Sequence, residues 1–218
     1  MAGTSIYSVY RRTARAAAKQ QVVRKTSTVD VDKAREDFAY FCDVVGNKPP
    51  AAHHKQWHQY LCTGESSTCL IGIAGPNIDI LAPRGSAKST VLGLFTAWAI
   101  GVHALRRMPL KILYISYTVD VARPKSAAIK RIIEENKIYK EIFPTVKIAK
   151  GINSNEYWSI DWKFAGIRST GEEEFSVCCA GLKGAVTSKR SHLCIIDDAI
   201  KSADDIKNRD IRQAMEDN

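Results

Sequence analysis

Two apolar runs without polar alternation, KILYIS (111–116) and HLCIIDD (192–198), limit what this chain can fold into more than any other feature. A strand with one wet face alternates apolar and polar residues, whereas an unbroken apolar run suits a strand covered on both faces. Further short runs, CLIGIAG (69–75), IDILA (78–82), WSIDWKFAG (158–166) and FSVCCAG (175–181), also read as strands. Helical segments alternate with them: VLGLFTAWAIGVHAL (91–105), VDVARPKSAAIKRIIEEN (119–136) and SADDIKNRDIRQAMEDN (202–218). Such alternation predicts a three-layer α/β fold with a mainly parallel central sheet, the 88–105 helix being buried against it.

Upstream the rhythm is helical. Phe38, Phe41, Val44 and Val45 form an apolar stripe before the break at GNKPP (46–50), and HHKQWHQYL (53–61) starts another helix, so the α/β part carries an N-terminal helical extension. Residues 1–30 form a separate basic arm, with Arg11, Arg12, Arg15, Lys19, Arg24 and Lys25 all preceding the first acid, Asp30. The arm reads as a DNA-contacting segment, a docking helix, a transit-like sequence or a solvated tail. Net charge is +9, which favours polyanionic partners. The longest apolar run, 91–105, is shorter than a membrane span, and no secretory signal is visible. Six cysteines without a C-x-x-C pair read as reduced, mostly buried thiols.

The stretch LAPRGSAKST (81–90) carries the chemistry. A phosphate-binding loop turns a strand sharply into a helix N-terminus, where backbone N–H groups and the positive dipole end face an anion. Here IDILA supplies the strand, Pro83, Arg84, Gly85, Ser86 and Ala87 the turn, and Lys88, Ser89 and Thr90 the helix start. Lys88 is placed to reach the outer phosphates and Ser89 to ligate Mg²⁺. Ala82 and Ala87 stand where the usual G-x-x-x-x-G-K-[ST] pattern has glycine, at a cost on the order of 1 kcal/mol wherever φ must be positive. About 110 residues downstream the strand HLCIIDD ends in two carboxylates. We assign Asp197 to the metal shell and Asp198 to the attacking water, with Asp198 as a turn cap the alternative.

Together these residues resemble the large terminase subunits, the DNA-packaging motors of tailed bacteriophages. LAPRGSAKST is similar to their variant Walker A loop, LCIIDD to their Walker B strand, and ILYISYTVDVARPKSAAIKRIIEEN (112–136) to the segment between; GLKGAVTSKRSHLCIIDD (181–198) resembles the glycine-rich lead-in to Walker B. The resemblance covers roughly residues 50–205. It implies a P-loop NTPase fold of the ASCE/RecA-like kind over 31–218, complete or short of its last strands, without the nuclease domain. It further implies ATP and Mg²⁺ as cofactors, with Arg84 helping to trigger hydrolysis (the alternative being a plain surface charge). Gln56 would lie on the adenine side and Trp57 would stack nearby or belong to the core. Double-stranded DNA, a portal protein, a small terminase subunit and a ring of identical subunits are the implied partners, at the procapsid portal in the host cytoplasm.

Other readings stay open: a helicase-like translocase, or a catalytically silent DNA- or partner-binding module. Arg123, Lys125, Lys130, Arg131, Lys183, Lys189 and Arg190 are candidate phosphate-backbone contacts. His54, His58 and Cys62 recur every four residues, a spacing that can bind zinc, but no fourth ligand is evident. His103 and His192 read as structural, and Asp204, Asp205 and Asp210 do not resemble a nuclease cluster.

Overall fold

The computed structural model describes residues 29–47, 49–61, 79–83, 85–168, 175–182 and 190–198. The chain divides into two units, Met1–Asp30 and Val31–Asn218, and the architecture below is that of the second. Its helices are α1 (Val31–Glu36), α2 (Phe38–Gly46), α3 (Ala52–Leu61), α4 (Lys88–Leu105), α5 (Val119–Glu135) and α6 (Lys137–Ile142). Its strands are β1 (Ile112–Ser116), β2 (Ile148–Asn153), β3 (Tyr157–Ile160), β4 (Val177–Gly181) and β5 (Leu193–Ile196). Among the described residues, no helix is long and apolar enough to cross a membrane.

The five strands form one sheet in the order β2-β3-β4-β1-β5. The chain is therefore α/β, but the sheet is mixed and not mainly parallel. β1 pairs in parallel with β4 and β5, whereas β3 runs antiparallel to both β2 and β4. The antiparallel half comes from a hairpin that the apolar pattern does not announce. β2 has the sequence IAKGIN with no buried residue, and the Ser154 hydroxyl closes the turn by accepting from Tyr157 N at 2.8 Å. A short turn can join only antiparallel neighbours, so this hairpin sets the direction of that edge.

WSIDWKFAG is a strand only in its first part. Asp161 accepts from Phe164 N at 2.9 Å and starts a turn that ends at Gly166, whose φ is +73°. β1 is buried throughout, as a run without alternation requires. β5 is not: Ile195 is buried but Cys194 is exposed and Ile196 is 60% exposed. The reason is position, since among the described residues β1 is the sole neighbour of β5. The strand expected at IDILA is also missing from its described part. Residues 79–82 are irregular and Leu81 is 98% exposed. CLIGIAG and SADDIKNRDIRQAMEDN lie outside the described residues.

α2 starts where Asp37 accepts hydrogen bonds from Ala39 N and Tyr40 N, and it ends at Asn47 in the left-handed conformation. Its inner stripe is Phe38, Phe41, Cys42 and Val45, with Val44 only half-buried. α4 is apolar on every side and is buried almost without interruption from Leu94 to Ala104. Its nearest backbone neighbours are α5 and α2, and it is α5 that lies on β1 and β4. Trp98 Nε1 donates to Ala34 O at 3.0 Å, and Tyr139 Oη donates to Ala97 O at 2.9 Å. Phe38 meets Phe95 and Trp98 with ring centroids 5.4 and 5.3 Å apart, and Tyr139 meets Phe143 at 5.2 Å. Each such pair adds about 0.5–1.5 kcal/mol beyond its buried area.

Gly101 is the point of closest approach in this cluster. A Cβ there would lie 2.5 Å from two ring carbons of Phe143, which is itself fully buried. Gly101→Ala is expected to destabilise the fold by about 1–3 kcal/mol, the overpacking cost exceeding the helix-propensity gain of about 1 kcal/mol. Urea unfolding of the variant checks this.

Candidate functional site

The turn before α4 brings its helix start to the ends of β1 and β5. Gly85 has φ +83° and Ala87 has φ +60°, both left-handed. The alanine substituted at the last glycine position therefore does take up the conformation that glycine favours, at a cost of about 1–2 kcal/mol. Ala87 has no side chain to cap α4, so the first-turn N–H groups of Lys88, Ser89 and Thr90 are given no side-chain acceptor from that position. A helix start of this kind attracts anions.

Facing this turn are the two carboxylates. Parallel strands deliver their C-terminal ends to one edge of the sheet, so β1 and β5 place Ser116 and Asp197 side by side. Ser116 Oγ donates to Asp197 O at 2.7 Å, and Asp197 N donates to Ile115 O at 2.9 Å. Asp198 follows in the left-handed conformation, φ +52°, with its carbonyl accepting from Tyr117 N at 3.2 Å. This bend turns its carboxylate into the site.

Lys88 Nζ lies 3.1 Å from Asp198 Oδ1 and 3.6 Å from Asp197 Oδ1. The sequence reading named these three residues, and the fold brings them together across 110 positions. Burial works against the charged form of Lys88, but the two carboxylates outweigh it and hold its pKa above the ordinary lysine value. A second ammonium was not foreseen in this place. Lys125 Nζ lies 2.8 Å from Asp197 Oδ2 and 3.4 Å from Asp198 Oδ2. Tyr114 Oη also donates to Asp197 Oδ2, at 3.0 Å. Burial opposes ionisation of Asp197, which is fully buried, yet Lys125 and the hydroxyls of Ser89 and Tyr114 hold its carboxyl below the usual range. Burial and Asp197 together push the Tyr114 phenol up, which keeps it a donor.

A cavity of about 690 Å³ opens over this cluster. It is lined by Ala82, Pro83 and Gly85 to Thr90 on one side, and by Asp198, Tyr117, Thr118 and Val121 on the other. Its volume lies within the range of small-molecule sites. Tyr117, Thr118 and Val121 carry no motif and escape a sequence search. The available signal was their place directly after β1, at the sheet edge where the acids emerge.

The residues present fit a divalent cation. Asp197 Oδ1 is buried without a hydrogen-bond partner of good geometry, although the Ser89 hydroxyl is close enough to favour the carboxylate form. Among the described residues no group of three or more His, Cys, Asp or Glu side chains could hold a metal on its own. Ser89, Asp197, water and phosphate oxygens would make up the oxygen ligands that Mg²⁺ prefers.

Other expectations meet the structure as follows. Arg84 lies outside the described residues, as do Cys62, Lys183 and Lys189. Gln56 is exposed and does not line the cavity. Its helix reaches the loop through different side chains, His54 Nε2 at 2.8 Å and His53 Nε2 at 3.4 Å from Ser86 O. Trp57 is half-buried against the rings of His53 and His54. His58 points elsewhere, into Phe38 with centroids 4.5 Å apart, so His54 and His58 serve different neighbours. His192 Nδ1 accepts from Lys111 N at 3.0 Å, a structural contact. Arg123 pairs with Asp120 and Glu156, and Lys130 donates to Asn153 O at 3.2 Å. Cys42, Cys178 and Cys179 are buried, whereas Cys194 is exposed.

Compared with known proteins, the chain matches no family model, no curated protein and no solved structure.

Proposed function

We propose that this chain is an ATP hydrolase, the motor domain of a viral DNA-packaging terminase that moves double-stranded DNA into a procapsid. The observation that carries the hydrolase reading is the contact of Lys88 with both Asp197 and Asp198 at the mouth of a loop-lined cavity. The terminase assignment rests on the resemblance of the ordered motifs over residues 50–205. On it rest also the portal protein, the small terminase subunit, the ring of subunits and the location at the procapsid portal.

The chemistry follows from placement. The loop N–H groups and the α4 start bind the phosphate chain, and Lys88 leaves the carboxylates to neutralise its outer oxygens. Ser89 and Asp197 Oδ1 would hold Mg²⁺, which supplies charge neutralisation to the phosphates when bound. Asp198 orients and polarises water against the terminal phosphorus, its carboxylate accepting the proton. Tyr117, Thr118 and Val121 border the same cavity.

Binding of a fluorescent ATP analogue with and without Mg²⁺, in the parent chain and in Lys88→Ala, tests the reading. Affinity is expected to drop about tenfold to a hundredfold in the variant, as for a lost charge-assisted hydrogen bond of about 1.5–3 kcal/mol. No binding by the folded parent chain would overturn the hydrolase reading and leave the silent DNA- or partner-binding module. DNA-stimulated phosphate release and capture by a procapsid portal would then separate a packaging motor from a helicase-like translocase.

A further inference from the structure

We infer that Lys125 is a built-in counter-ion held on the Oδ2 atoms of Asp197 and Asp198, so that a divalent cation at Asp197 Oδ1 binds well only together with nucleotide. The inference rests on the hydrolase reading and adds a control over when its metal binds.

Two ammonium groups and two carboxylates form a neutral quartet. Lys88 lies against one oxygen of each acid, Asp198 Oδ1 at 3.1 Å and Asp197 Oδ1 at 3.6 Å. Lys125 lies against the other oxygen of each, Asp197 Oδ2 at 2.8 Å and Asp198 Oδ2 at 3.4 Å. It reaches Ser116 Oγ at 3.4 Å and Asp197 O at 3.5 Å as well. One cation thus bridges the acid pair from the loop and another from α5. The Lys125 side chain is 19% exposed and Asp197 is fully buried, so solvent screens this contact little.

The two lysines have different alternatives. Lys88 stands at the loop, within reach of any anion bound at the α4 start, and can leave the acids when phosphate arrives. Lys125 comes from α5, and three of its four contacts are to the acids and their backbone, the fourth being to Ser116 Oγ. A free dication approaching Asp197 Oδ1 without nucleotide therefore meets an acid pair whose charge two ammonium groups already balance. In this partly desolvated setting, a neutral cluster offers a dication little net attraction to offset the loss of its hydration shell. A metal arriving with a polyphosphate brings its own negative charge and draws Lys88 off, so the balance reverses. Lys125 in this way discourages idle metal occupancy while holding both carboxylates in place. A lysine serving only to balance a buried charge would affect stability but would leave metal affinity low in its absence.

The test is Mn²⁺ titrated into nucleotide-free protein, with free Mn²⁺ read by electron paramagnetic resonance. The parent chain and Lys125→Arg, which keeps the charge, are expected to bind weakly. Lys125→Gln keeps a hydrogen-bond donor for Asp197 but removes the charge, and is expected to bind Mn²⁺ at least about tenfold more tightly. Unchanged or weaker binding by folded Lys125→Gln would overturn the inference. If that variant does not fold alone, Mn²⁺ is expected to restore its far-ultraviolet circular dichroism at concentrations that the parent does not bind. Failure to restore it likewise overturns the inference. The ATP-analogue titration of the parent, run alongside, fails or succeeds independently, because the Mn²⁺ measurement contains no nucleotide.

Discussion

Asp198→Asn is expected to bind Mg²⁺–nucleotide within about threefold of the parent chain and to hydrolyse it about 10²–10⁴-fold more slowly, the usual contribution of a positioned general base. The geometry makes this a clean substitution. Asp198 sits at φ +52°, a left-handed position that Asn tolerates as well as Asp, so the backbone bend at the end of β5 is kept. Its carbonyl, which accepts from Tyr117 N, is untouched. What is lost is the negative charge facing Lys88 at 3.1 Å, and with it the group able to accept a proton from water. Binding should change little because Lys88 moves to the phosphates when they arrive. Phosphate release under single-turnover conditions, beside analogue binding on the same samples, separates the two effects. Turnover at the parental rate would exclude Asp198 as the base.

Acid is expected to cost the fold about 4 kcal/mol between pH 7 and pH 5, from two histidines far from any proposed chemistry. His58 and His103 are buried, and among the described residues neither ring nitrogen of either has a hydrogen-bond partner. Burial lowers both to about 4, helped for His58 by His54 and for His103 by Arg106 and His192, while Asp37 acts on His58 in the opposite direction. Both imidazoles stay neutral in the fold, whereas the unfolded chain protonates them near pH 6.5. Their contribution to stability is thus complete above pH 6.5 and is lost as pH falls toward 4. By pH 5 the loss is about 2 kcal/mol for each. Urea unfolding at a series of pH values checks the slope, and His58→Phe, which keeps an aromatic ring against Phe38, should reduce that slope by about one proton.

The parts of this molecule that were readable in the sequence are those where one physical requirement acts alone. β1 had to be buried on both faces, and ILYIS says so. Lys88 and the acid pair had to converge if the loop was a phosphate site, and they do at 3.1–3.6 Å. What escaped were features set by neighbours. β2 is half-exposed and holds a glycine and a lysine, so it shows no apolar run, yet its pairing with β3 decides the direction of half the sheet. Cys194 and Ile196 look like core residues, but their strand has a neighbour on one side only among the described residues. Lys125 looked like one more surface cation on a basic chain. Its helix follows the strand beside β5, and that adjacency, invisible before the sheet order is known, turns it onto Asp197.

The enclosure of α4 has a mechanical consequence. From Leu94 to Ala104 the helix is gripped from several sides, by Trp98 bonded to α1, Ala97 bonded to α6, and Gly101 under the ring of Phe143. A rod held on so many sides is a poor carrier of motion away from its tip. The start of α5 is placed differently, with Thr118 and Val121 exposed along the edge of the cavity. α5 carries Lys125 onto Asp197 and lies along β1 and β4. On the packaging-motor proposal, a stroke that starts at this site would pass to α5 rather than to α4.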